Sequence, residues 1–202
     1  MQSDSMTPND SGLGSAAPRR EDGSLQVVTA AAHVVDLSRY VPAYLTWIAN
    51  KLSRGASQHY LKAFGVGIET WRCLVLLAVE ERVSAQRVSK VIGMDKGTVS
   101  RCFKHMQARG FIVLSLDEKD GRVRPATLTQ HGREVHDRIL KVALERERAL
   151  LGVLSSSECL TLIEFLRRLH ENLPAVEQAT DRFVAQLFPQ ARPTGRTRHR
   201  EE

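Results

Sequence analysis

The strongest constraint on the fold lies between Ser84 and Leu128, where two short helical segments precede a pair of β-prone segments. Ser84 stands in the N-cap position of a helix over 85–91, which Gly93 ends. Asp95 stands likewise before a second helix over 96–108, with Gly110 at its C′ position. Ser and Asp offer a side-chain oxygen to the unpaired N–H groups of a first turn. A glycine past the last turn takes the left-handed conformation without a Cβ clash. Two short helices around a tight glycine-containing turn form a helix-turn-helix. Residues 111–116 and 123–128 then read as strands about a charged turn at 117–121. A β-hairpin, or wing, is therefore expected directly after the second helix.

The flanking segments are helical. Pro42 suits a first turn, where no hydrogen bond is lost, and Leu45, Ile48, Leu52, Ala56 and Tyr60 follow at helical spacing to about Ala63. Residues 64–67 break that helix, and Thr70 is expected to cap a buried one over 71–79. Thr129 is expected to cap a helix that reaches about Leu154. Ser155 and Glu158 have capping-box spacing before a last helix with Leu160, Ile163, Leu166 and Leu169 on one stripe. Pro174 is expected to kink or interrupt it, with an amphipathic piece following to about Leu187. The fold class is mainly α with a small β-hairpin wing: a winged helix-turn-helix flanked by long helices.

Residues 1–37 are poor in large apolar side chains over their first two-thirds and read as a disordered or loosely ordered tail. Residues 188–202, with two prolines and four arginines, read as a second, basic tail. Hydrophobic residues make up 42% of the 202, enough for a core between the tails. Cys73, Cys102 and Cys159 stand apart without CxxC or His/Cys ligand spacing, so neither a disulfide framework nor a zinc site is expected. No metal or other cofactor is expected. No apolar run approaches a membrane span and the N-terminus lacks signal-peptide order, so a soluble cytoplasmic protein without a membrane partner is expected.

The order helix, helix, helix-turn-helix, wing, helix, helix resembles the MarR family over about residues 38–172. The stretch Met94-Asp95-Lys96-Gly97-Thr98-Val99-Ser100-Arg101 is similar to the family's opening of its recognition helix, and Arg109 to Ile112 supplies the following RGFI. The family's wing signature appears as Asp120-Gly121-Arg122 and Leu128-Thr129, with Ala126 in place of the usual Leu. The resemblance implies one domain over 38–187: dimerisation helices at 38–65 and 129–187, and the winged helix-turn-helix at 69–128. It implies a homodimer on double-stranded DNA at a pseudo-palindromic operator, and a repressor released by a small aromatic acid or by oxidation.

Charge supports a DNA partner. The net charge is +6, and between Arg82 and Arg133 there are eleven Lys/Arg against four Asp/Glu. Phosphate neutralisation by such a surface gives salt-sensitive affinity. Lys96, Thr98, Ser100, Arg101 and Lys104 are candidates for base edges or phosphates in the major groove, while Val99, Phe103 and Met106 have inward spacing. Ser84 and Gln86 suit a phosphate at the start of the preceding helix. Arg122 suits the narrow minor groove with Asp120 orienting it, and Arg124 suits a phosphate.

In the family, the effector pocket lies between the dimerisation helices and the winged helix. Tyr40, Trp47, Lys51, Arg54 and Trp71 are the candidate lining for an aromatic carboxylate, although aromatics at helical spacing equally serve as core. Cys73 reads as packing. Cys102 reads as a buried cysteine, with a redox role through neighbouring Arg101 and Lys104 as the alternative. An enzyme is not expected: no phosphate loop, Gly-x-Ser-x-Gly or His-Glu-x-x-His motif occurs, and no length remains for a catalytic domain. The alternative to a DNA-binding regulator is an interaction module or anti-repressor that kept the fold and no longer binds DNA.

Overall fold

The computed structural model describes residues 34–116 and 123–189. The chain divides into two units, one ending at Leu140 and the other starting at Lys141. The predicted tail at 1–37 and the basic tail at 188–202 therefore lie almost wholly outside the described residues, as does the predicted charged turn at 117–121 apart from its flanks.

In the first unit, α1 (Val41–Phe64) has Pro42 in its first turn and ends at Gly65, whose φ of +64° lets its N–H reach the Leu61 carbonyl. The apolar repeat runs the length of α1, but burial does not. Ala56 and Tyr60 are buried, whereas Leu45 and Ile48 remain 42% and 48% exposed. Helix α2 (Ile68–Glu80) starts earlier than its Thr70 suggested. Gly67 is the N-cap, its carbonyl accepting from Trp71, and Thr70 is a buried residue inside the first turn. Thr70 is thus not a cap: its hydroxyl faces Cys102 Sγ at 3.7 Å.

A strand not anticipated from the sequence follows. β1 (Arg82–Val83) comes directly after Glu81, which has a φ of +57°. Two residues are too few for any periodicity, and this strand exists only because a partner does. It pairs with β3 (Ala126–Leu128), which in turn pairs with β2 (Ile112–Leu114), all antiparallel in the order β1-β3-β2. Val83 stands opposite Ala126, and Leu114 stands opposite Ala126 on the other side, so Ala126 is wholly buried.

Between the strands, α3 (Ala85–Ile92) and α4 (Lys96–Ala108) form the helix-turn-helix. Helix α4 ends as predicted: Gly110 has φ +68°, its N–H reaches Gln107, and the Phe111 N–H reaches Met106. These two bonds are the Schellman pattern, and Met106 and Phe111 close it as a fully buried apolar pair. Helix α5 (Gln130–Leu151) is capped by Thr129, whose hydroxyl oxygen accepts from the Gly132 N–H at 3.0 Å and donates to the Gly110 carbonyl at 2.6 Å. One threonine so ties the end of α4 to the start of α5. Gly132 permits that approach, since a Cβ there would sit 2.0 Å from the Phe111 carbonyl oxygen.

In the second unit, α6 (Ser156–Glu171) opens with the predicted capping box of Ser155 and Glu158. Asn172 ends it, and α7 (Leu173–Leu187) begins at once with Pro174 in its first turn. The helical run is therefore interrupted, one of the two outcomes expected of Pro174, and the proline stands in the first turn of a new helix. No residue of α6 or α7 is buried. No single helix among the described residues is long and apolar enough to cross a membrane.

Candidate nucleic-acid interface

Helix α4 has two faces of opposite character. Val99, Cys102, Phe103 and Met106 are buried at i, i+3, i+4 and i+7 spacing, which leaves Lys96, Ser100, Arg101 and Lys104 exposed and Thr98 half-buried. From Lys96 to Lys104 the exposed face spans about 12 Å of helix, comparable with the width of a B-DNA major groove.

The start of α4 is internally braced. Asp95 Oδ1 accepts from the Thr98 N–H at 2.9 Å, and Arg101 Nη2 donates to Thr98 Oγ1 at 2.8 Å. The Thr98 bonds hold the Asp95 carboxyl below its ordinary range, and the Arg101 charge adds to the effect. Arg101 is thereby directed back along the helix toward its N-terminus. A Cβ at Gly97 would stand 3.1 Å from Asp95 Oδ1, so a glycine keeps this end of the helix open.

Helix α3 and the wing contribute from either side. Ser84 Oγ accepts from the Arg87 N–H at 3.2 Å as the predicted cap, and Gln86 is exposed in the first turn. Ser84, Gln86, Ser100, Lys104 and Arg124 line one open groove, with Phe103, Leu114 and Val123 in its lining. Five predicted residues from three separate elements therefore meet at one surface. Lys96, Thr98 and Arg101 lie on α4 outside that lining, and Asp120 and Arg122 fall outside the described residues.

Part of the local basic surplus is engaged by partners within the chain, although the side chains are exposed. Arg87 forms a forked pair with Glu80, with Nη2 to Oε1 at 2.7 Å and Nε to Oε2 at 3.0 Å. Its guanidinium holds the Glu80 carboxyl below the ordinary range. Arg109 donates to the Gly65 carbonyl and lies over the Phe111 ring at 4.6 Å, joining the end of α1 to the end of α4. Arg82 donates to the Leu116 carbonyl at 2.9 Å, bracing β1 against the wing. A count of charges cannot distinguish these three from groove-facing cations, because each partner is remote in sequence.

The effector candidates are not gathered into one site. Tyr40, Trp47, Lys51 and Arg54 are exposed on or just before α1, with Trp47 edge-on to Tyr44. Trp71 is instead core, packed edge-on against Tyr60 at 5.7 Å and stacked on His136 at 5.4 Å. The cysteines are not isolated either. Cys102 turns inward from Arg101 and Lys104, and its Sγ lies 3.6 Å from Cys73 Sγ and 3.7 Å from Met106 Sδ. Among the described residues no group of three His, Cys, Asp or Glu could hold a metal ion.

Residues 64–123 match the MarR family. The chain is 28% identical over 116 residues to the uncharacterised HTH-type transcriptional regulator YdgJ of Bacillus subtilis, covering 56% of this chain and 69% of YdgJ. In three dimensions it is similar to a MarR/EmrR family transcriptional regulator from Acinetobacter sp. ADP1. That match has a TM-score of 0.65 at 29% identity and covers 70% of this chain and 99% of the other. It also shares its fold with S. aureus MepR, solved as a DNA complex, at a TM-score of 0.60 and 21% identity over 67% of this chain and 99% of that one.

Proposed function

We propose that the chain is a member of the MarR family of winged-helix transcriptional regulators, and that it binds duplex DNA as a homodimer and represses transcription. The observation that carries this reading is the groove where Ser84, Gln86, Ser100, Lys104 and Arg124 converge from α3, α4 and the wing. Short polar side chains at a helix start, with lysine and arginine opposite, suit phosphate oxygens. The exposed start of α4 presents Lys96, Thr98, Ser100 and Arg101 to base edges, with Thr98 aiming the Arg101 fork. On the sequence pattern, Arg122 is assigned to the minor groove and Asp120 to its orientation.

The dimer reading rests on apolar surface. Leu160, Ile163, Leu166 and Leu169 on α6 are 70%, 59%, 42% and 47% exposed, and Phe183 and Leu187 on α7 are 60% and 55% exposed. Exposed apolar side chains in this number suit an interaction surface. The helices at 38–65 and 129–187 serve as the dimerising parts and 69–128 as the DNA-binding part. Release by a small aromatic acid follows the family resemblance, and Tyr40, Trp47, Lys51 and Arg54 supply the aromatic surface and cations such a ligand requires.

A gel-shift titration against the upstream intergenic DNA, at two salt concentrations and beside a random duplex, tests the proposal. Tight, salt-sensitive binding of two chains to the upstream fragment is expected. Absence of binding to either duplex at low salt would overturn it.

A further inference from the structure

The helix-turn-helix carries a carboxylate where a DNA-binding surface has least use for one. Between Arg82 and Leu116 the sequence has seven Lys/Arg and a single acidic residue, Asp95. Asp95 is exposed and stands at the start of α4, ahead of Lys96, Arg101 and Lys104. Capping alone does not call for a charge there. Ser84 and Ser155 cap α3 and α6 with a neutral hydroxyl, as Thr129 does for α5. Ser, Asn and Asp cap a helix about equally well. Among the described helices, only α4 starts on a charged residue. We propose that Asp95 is a specificity-determining residue, whose charge keeps backbone phosphates from the start of α4 and so favours the operator over an arbitrary duplex. This inference rests on the DNA-binding function proposed above.

The geometry fixes that charge in place. Gly93 turns the chain at φ +75° with its N–H on the Ser89 carbonyl, and the Ser89 hydroxyl donates to the Met94 carbonyl at 2.6 Å. The turn that presents Asp95 is thus bonded back to α3. Asp95 Oδ1 accepts from the Thr98 N–H at 2.9 Å, and Thr98 Oγ1 accepts from Arg101 Nη2 at 2.8 Å. A Cβ on Gly97 would stand 3.1 Å from Asp95 Oδ1 and 3.5 Å from Arg101 Nη1, so both charged groups close on the same glycine. The Thr98 bonds, and after them the Arg101 charge, hold the carboxyl below its ordinary range, so it is ionised at neutral pH.

That charge acts unequally on the two parts of a duplex. Every duplex offers phosphates, which a helix N-terminus with Lys96 and Arg101 would otherwise attract without regard to sequence. A like-charge contact at about 4 Å in water weakens binding about fivefold at low salt. A base edge carries no net charge, and the amino group of a cytosine can donate to a carboxylate. Asp95 therefore penalises a phosphate at the start of α4 and leaves a base edge unpenalised. Discrimination gained this way comes from a repulsive group set against the wrong partner.

The test separates charge from capping. Asp95→Asn keeps a side-chain oxygen for the Thr98 N–H and removes the charge, and Asp95→Ser does the same with a shorter side chain. The full chain and both variants, checked by thermal melting, are titrated with the upstream intergenic DNA and with a random duplex of equal length at two salt concentrations. Both variants are expected to bind the random duplex about fivefold more tightly than wild type at low salt, with affinity for the upstream DNA unchanged or weaker. The upstream-to-random ratio then falls about fivefold, and the effect shrinks as salt is raised. If the ratio is unchanged in both variants, whether neither affinity moves or both rise together, Asp95 is a cap alone and the proposal is overturned. Weaker binding to the upstream DNA with no gain on the random duplex also overturns it. Wild type that binds neither duplex at low salt fails the functional reading itself, an outcome distinct from wild type that binds and variants that match it.

Discussion

Helices α4 and α6 carry apolar stripes of the same kind and meet opposite fates within one chain. On α4, Val99, Cys102, Phe103 and Met106 are at most 8% exposed. On α6, Leu160, Ile163, Leu166 and Leu169 are at least 42% exposed. A stripe states that a helix needs a partner, not that the chain contains one. For α4 the partners are α2, α3 and β2, brought up by short connections. Helix α6 meets α7, whose own apolar residues are equally uncovered. The first region buries its apolar stripe by internal packing, and the second leaves its stripe exposed in the single chain.

The largest expected effect that sharpens this contrast is at Gly132. Gly132→Ala places a Cβ 2.0 Å from a backbone oxygen that cannot move without breaking the Thr129 cap and the end of α4. A loss of about 3 kcal/mol or more in unfolding free energy is expected by denaturant titration, as for severe overpacking. Next is Ile163→Asp, on a surface that is 59% exposed in the single chain. In a self-contained monomer the change would be nearly silent. Here a self-association constant weakened by about a hundredfold or more is expected by sedimentation, because a charge would enter the apolar contact. An unchanged sedimentation profile would break the comparison.

Smaller effects separate the faces of α4. Arg101→Ala is expected to weaken specific DNA binding by about 1–3 kcal/mol, with little change on random duplex, if the fork reads a base. Thr98→Val removes the 2.8 Å bond that aims Arg101, and a lesser loss in the same assay is expected. An equal loss on both duplexes would assign Arg101 to a phosphate.

The smallest effect concerns pH. The Asp95 carboxyl is lower in the folded chain than in the unfolded one, through its bonds to Thr98. Its stabilising contribution is fully present above the unfolded value of about 3.9 and is lost as pH falls through the lower folded value. The protection of the Thr98 amide, relative to its intrinsic exchange rate at each pH, should therefore fall only below about pH 4. The exposed site limits the size of the change.

Features legible in the sequence share one property: their partners lie within a few residues. Ser84, Asp95 and Ser155 each accept from a backbone N–H three residues on, and Gly110 closes α4 through Gln107. Thr70 shows the limit of that rule. Its type and position suit a cap, but Gly67 already starts the helix and a sulfur 32 residues away takes the hydroxyl. The candidate DNA surface is similarly half legible. Exposed lysines and arginines on α4 follow from periodicity, whereas the Arg87–Glu80 and Arg109–Gly65 contacts do not.

By itself the sequence determined most of the helices, the caps at Ser84, Asp95, Thr129 and Ser155, the winged helix-turn-helix order and the inward face of α4. Each of these follows from interactions spanning a few residues of backbone. Only the tertiary structure decided that β1 exists, that Trp71 belongs to the core beside His136, and that Cys73 meets Cys102. Each of these depends on where distant segments come to rest, and that is set by how whole helices pack.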